Sequence, residues 1–147
     1  MKGIKKAAFG FNTYRILEYS FRQNTEEDSK VTLQFDPAGE FDPSTGRFRL
    51  YFNFNAFNKT EELPLISAKM EAIFEFTAVN TLEELPDYFF LNSIAIVFPY
   101  MRSFISTMTL QSNGDVMILD LLNMTSLKEV LQEKTIVSHW DVASNNE

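Results

Sequence analysis

An α+β fold, with a four-stranded antiparallel sheet receiving one long helix, is what three features of this sequence predict. The stretch RFRLYFNFNAFN alternates strictly, with Phe48, Leu50, Phe52, Phe54 and Ala56 on one face and Arg47, Arg49, Asn53 and Asn55 on the other. Tyr51 and Phe57 are aromatic exceptions on the polar side, and the period of two marks a half-buried strand. Leu65 to Val79 repeats the pattern, setting Ile66, Ala68, Met70, Ala72, Phe74 and Phe76 against Ser67, Lys69, Glu71, Glu75 and Thr77. Then the period changes. From Leu85 to Gly114 the large apolar residues Tyr88, Leu91, Ile94, Phe98, Met101, Ile105 and Met108 recur at helical spacings of three and four.

Two earlier strands complete the sheet. Phe9 to Gln23 carries bulk on both parities, Phe11, Leu17, Tyr19 and Phe21 against Tyr14 and Ile16, which predicts cover on both sides. After the polar loop NTEEDS, Lys30 to Asp36 alternates through Val31, Leu33 and Phe35. The similar hexamers FDPAGE and FDPSTG read as two successive turns opened by Asp-Pro. Pro86 and Asp87 suit the first turn of the helix. Pro99 predicts a kink inside it, and Ser112, Asn113 and Gly114 a stop. The apolar DVMILDLLN follows as an extended crossover, and Ser126 with Glu129 forms a capping box for a short second helix bearing Leu127, Val130 and Leu131. All 147 residues are expected in one domain, with 1–8 and 141–147 flexible.

Composition excludes more than it specifies. The net charge of −7 argues against nucleic-acid binding, and the absence of cysteine removes disulfides, thiolate catalysis and thiolate metal sites. The single histidine, His139, lies in the tail with no GxSxG motif to serve. No glycine-rich phosphate loop occurs, and the adjacent acids at Glu26-Glu27-Asp28, Glu61-Glu62 and Glu83-Glu84 lack the alternate spacing of a calcium loop. The expectation is therefore a protein that is not an enzyme and has no metal or cofactor. Asn92, Ser93, Pro99 and Arg102 interrupt the long helix, so membrane insertion is not expected, and Asn12, Thr13 and Arg15 cut short the apolar run after the N-terminal lysines, so secretion is not expected either.

What the composition offers is apolar surface, with 15 phenylalanines and 5 tyrosines. Ile94 to Phe98 are five consecutive apolar residues that sweep more than a full helical turn. One sheet covers one side of such a helix, and each large side chain left wet forgoes about 1.5–3 kcal/mol. A partner subunit covering the outer side is the expectation. Apolar grooves remaining after assembly would accept apolar segments of other proteins.

From Phe98 to Gly114, FPYMRSFISTMTLQSNG resembles the long helix of the SecB family of protein-export chaperones. Phe98, Pro99, Tyr100, Arg102, Ile105, Ser106 and Gly114 stand at its motif positions, and the element order agrees from about Phe9 to Glu133. The resemblance implies a cytoplasmic homotetramer, a dimer of dimers with the long helices between paired sheets. It also implies an ATP-independent holdase that needs no cofactor, keeps unfolded or precursor polypeptides export-competent and passes them to the SecA motor. Of the family's acidic motor contacts only Glu18 is acidic here, Arg22 and Ser67 standing at the other positions. A toxin-antitoxin pair or general holding are therefore alternative settings.

On this reading Phe57, Val116, Ile118, Leu121, Leu127, Val130 and Leu131 line the client groove. Leu91, Ile94, Ile96, Val97, Phe98, Tyr100, Met101 and Ile105 form the oligomer interface. From a different class, a small-molecule or lipid-binding α+β domain would enclose one pocket between helix and sheet.

Overall fold

The computed structural model describes residues 8–25, 30–59, 61–120 and 123–140. Strands β1 (Phe9–Phe21), β2 (Val31–Asp42), β3 (Arg47–Asn58) and β4 (Ile66–Phe76) are followed by helices α1 (Tyr88–Gln111) and α2 (Met124–Glu133) and a last strand β5 (Thr135–Val137). The sheet has five strands rather than the four expected, in the order β1-β4-β3-β2-β5. It is mixed, because β5 runs parallel to the edge of β2, pairing Gly39 with Thr135 and Phe41 with Val137. A three-residue strand beyond the last helix is too short for hydropathy alternation to reveal.

On the inner face the alternation holds residue by residue. Phe48, Leu50, Phe52, Phe54 and Ala56 of β3 and Ala68, Met70, Ala72 and Phe74 of β4 have no solvent exposure. They pack under Phe89, Ile94, Val97, Met101 and Ile105 of α1, also fully covered. Phe89 meets Phe9, Phe48, Phe74 and Phe76 edge-on, with ring centroids 4.7–5.4 Å apart. That geometry suits the aromatic quadrupole and adds to the area buried.

The double-sided cover expected for β1 is not what forms. Register shifts between Phe11 and Thr13 and between Ile16 and Glu18 each reset the parity. Phe9, Phe11, Tyr14, Ile16, Tyr19 and Phe21 therefore pair with the inward residues Phe76, Phe74, Ala72, Met70, Ala68 and Ile66. Each bulge inserts an unpaired residue and flips the following side chains to the other face. Leu17 falls in the second irregularity and stays exposed. The outer face of the sheet is polar and self-neutralised, by Arg15–Glu71 at 3.1 Å, Arg47–Glu75 at 3.3 Å, Arg49–Glu40 at 3.4 Å and Lys69–Glu18 at 3.3 Å.

The first of the two hexamers is strand, not turn: β2 continues through Asp36-Pro37-Ala38-Gly39 to Asp42. Gly39 donates to Lys134, and Ser138 donates to Phe41, so these odd positions direct their main-chain groups away from β3. Pro37 shares that parity, and its missing N–H costs no bond to β3. Only the second hexamer turns, with Gly46 at φ +72°.

Helix α1 is continuous through Pro99, where the sequence suggests a kink or break. At its end Asn113, not Gly114, takes the left-handed conformation, with φ +56°. Gly114 instead sits in close approach to β1 and the residues after it. A Cβ there would lie 3.0 Å from Gln23 Oε1 and 3.2 Å from the Phe21 ring. Asn123 caps α2 by accepting from Thr125 N at 3.2 Å, so the Ser126–Glu129 box is not its start.

Candidate functional site

The crossover between α1 and α2 is tied to α1 by hydroxyl groups. Thr109 Oγ1 donates to Ile105 O at 2.8 Å and accepts from Met117 N at 3.0 Å. Ser106 Oγ donates to Met117 O at 2.9 Å. Buried Thr109 thus converts an orphan main-chain donor of an irregular segment into a satisfied one. Ser106 stands at one of the motif positions of the resemblance, whereas Thr109 is not singled out by its place in the sequence, although two hydroxyls three residues apart on an apolar turn are the available signal.

Pinned in this way, the crossover divides its side chains. Leu119 points inward and is fully buried, and Met117 packs on the core. Val116 and Ile118 are 46% and 61% exposed. On α2, Leu131 is fully buried, Leu127 packs against the core half-buried, and Val130 is half-buried. Leu121 lies outside the described residues. Phe57 does not join this group. It pairs with Thr32 and takes the odd parity of Tyr51, Asn53 and Asn55 on the outer face, so the sheet separates it from the crossover. Val31, Leu33 and Phe35 of β2 bring apolar surface to the inner face instead, with Leu33 exposed.

A cavity of about 620 Å³ opens where α1 ends. Val31, Leu65, Ile66, Phe21 and Met117 give it apolar walls, and Arg22, Asn24, Asn113 and Asp115 a polar lining. Arg22 is held by Glu61 and by the main-chain oxygen of Leu63. The hydrogen bond from Arg22 pulls the Glu61 carboxyl below its usual range, so both groups stay ionised. The volume is that of an ordinary ligand pocket, or of two or three large side chains. Among the described residues no group of three or more histidines and carboxylates could hold a metal ion.

The expected interface residues are largely spent inside the chain. Ile94, Val97, Met101 and Ile105 have no solvent exposure and Phe98 almost none. The crossover and α2 supply a second cover that the sequence reading left to a partner subunit. Within Ile94 to Phe98 only Ala95 is exposed and Ile96 half-buried. Leu91 is half-buried as well. Tyr100 remains exposed, its ring 4.5 Å from that of Tyr14 and 5.7 Å from Phe11. Glu18 is exposed but tied to Lys69. By length and hydropathy α1 meets the requirement for a membrane span, and it lies against its own sheet.

A long helix across one face of a sheet whose four long strands are antiparallel, with a crossover and short helix on its flank, is the arrangement of a SecB-like fold. The chain matches a SecB-like chaperone of Mycobacterium tuberculosis, solved in complex with a peptide from an antitoxin, with a TM-score of 0.64. At 18% identity the match covers 79% of this chain and 88% of that one, and the resemblance carried by Phe98 to Gly114 agrees with it. A protein of unknown function from Streptococcus agalactiae aligns at 10% identity over 77% of this chain and 97% of its own, with a TM-score of 0.44. No family model and no curated protein matches the sequence.

Proposed function

We propose that this protein is an ATP-independent holdase chaperone that binds unfolded or precursor polypeptides and keeps them from folding and aggregating. The observation that carries the reading is the exposed apolar stretch at Val116 and Ile118, next in the chain to Asp115 and Met117, which line the 620 Å³ cavity. Large side chains held in water by a pinned main chain are a surface waiting for apolar partners. Exposed polar groups nearby let captured segments leave. The M. tuberculosis neighbour binds a peptide from an antitoxin, which supports a polypeptide as the ligand here.

Val116, Ile118, Leu121, Leu127 and Val130 would form the client surface, with Leu33 and Phe35 added from β2. Cytoplasmic location, a homotetramer built as a dimer of dimers, and service to export or to a toxin-antitoxin pair belong to the same proposal. Glu18 paired to Lys69, and Arg22 paired to Glu61, leave little free charge for a motor such as SecA at those positions. The test is aggregation of a chemically denatured client followed by light scattering without nucleotide. Suppression at stoichiometric amounts is expected. Unchanged scattering at a several-fold excess would refute the holdase.

A second reading, one small amphipathic ligand in the 620 Å³ cavity, is favoured by its apolar wall and polar rim. Saturable binding of a fluorescent fatty acid without any effect on client scattering would select it.

A further inference from the structure

Helix α2 is short, and the element that follows its C-terminal end is lightly attached. Upstream lies the irregular crossover, and downstream the chain turns at once into β5. Gly39 N donates to Lys134 O at 3.3 Å, and Ser138 N donates to Phe41 O at 2.9 Å. Thr135 Oγ1 donates to Leu131 O at 2.6 Å, joining β5 to the last turn of α2. Beyond β5 the chain crosses to the outer face of the sheet. There Trp140 N donates to Asp42 Oδ2 at 3.3 Å, and the Trp140 ring lies 4.1 Å from the Arg49 guanidinium. Arg49 is fixed in turn by Glu40 and by the Tyr51 hydroxyl.

Little apolar burial secures this segment. Ile136 is 58% exposed and Val137 50%, so the strand rests on a few main-chain bonds, one carboxylate and one stacked indole. Segments held in that way open locally at far lower cost than the core. A second cavity, of about 370 Å³, lies where α1 begins. Leu82, Leu85 and Phe90 line one side, and Gln132 of α2 and Thr135 of β5 line the other.

We propose that residues 135–140 are a releasable clasp. Closed, they hold α2 over this second cavity; released, they let α2 move and admit apolar side chains of an unfolded client between α2 and the start of α1. The clasp rests on the holdase reading and adds its regulation.

The chain has no cysteine, so one engineered pair can lock the clasp cleanly. Glu40 and Ile136 are register partners across β2 and β5. In the Glu40→Cys/Ile136→Cys protein the oxidised form is locked, and the reduced form of the same molecule is the reference. Hydrogen exchange of the α2 amides and binding of a fluorescent, permanently unfolded lactalbumin are then measured on both. Locking is expected to slow α2 exchange by about tenfold or more and to weaken client binding several-fold. Trp140→Ala should move both readouts the opposite way.

Equal α2 exchange in locked and reduced protein would overturn the clasp. Changed exchange with unchanged client affinity would overturn its role in admission. No client binding by any form, wild type included, would instead overturn the holdase reading and the admission step with it, while exchange still judges whether the clasp holds α2.

Discussion

Asp42 is a carboxylate that the fold removes from solvent and yet keeps charged. Burial alone would push its pKa up. Hydrogen bonds from the Ser44 hydroxyl and main chain, from Trp140 N and from Thr45 outweigh that and hold it below the usual carboxylate range. A depressed folded value adds stability above the unfolded pKa of about 4, lost as pH falls through the folded one. Acid titration should therefore loosen the β2–β3 turn and the Trp140 anchor together. Asp42→Asn is expected to lower stability at neutral pH by about 1–3 kcal/mol and to flatten the acid limb of a urea-denaturation series below pH 4. An unchanged acid limb would place the proton elsewhere. Gly39 shows a different residue-scale constraint, since a Cβ there would sit 2.4 Å from Cζ of the fully buried Phe48. Gly39→Ala should cost about 1–3 kcal/mol through overpacking, read as a shift in the urea midpoint without a change in slope.

At the scale of elements, what the sequence discloses is whatever repeats. Strand β3 and α1 announce themselves because their periods run unbroken over many residues. The bulges at Asn12 and Leu17 could not be read, since one inserted residue leaves the composition of β1 unaltered while reversing every later side chain. Asp36-Pro37 misled for a related reason. Proline signals a turn on average, but an edge strand tolerates it where the lost N–H faces away from its neighbour. The same discrimination applies to Pro99, exposed on α1, where the helix forgoes the bond to the carbonyl of Ala95. Pro99→Ala should restore it and raise stability by about 1–3 kcal/mol, measured by thermal or urea unfolding. A loss of stability would mean that the ring packs in an assembly and is not merely tolerated.

For the molecule as a whole, the question is which apolar surface the fold leaves over. Five consecutive apolar residues in α1 pointed toward a partner subunit. The chain carries a second cover of its own in the crossover, which the sequence places over the sheet or the helix, and in α2, whose apolar face the sequence assigns to clients. Leu119 and Leu131 show both roles in one stretch: they close the core, while Val116 and Ile118 beside Leu119 stay wet. The aromatic surface not covered in this way lies on the other flank, where the Tyr14 and Tyr100 rings meet in a tilted pair at the exposed edge formed by β1. If copies associate, that flank, not Ile94 or Val97, has the side chains free to meet a neighbour. Native mass spectrometry of the wild type is expected to give an even-numbered oligomer, with Tyr100→Asp shifting it toward the monomer at the same concentration. The charged residue would have to be desolvated to keep the contact, at a cost of several kcal/mol. Client capture by the dissociated Tyr100→Asp monomer should persist in weakened form, because the crossover and α2 belong to one chain, and complete loss of capture would show that the client surface spans two subunits.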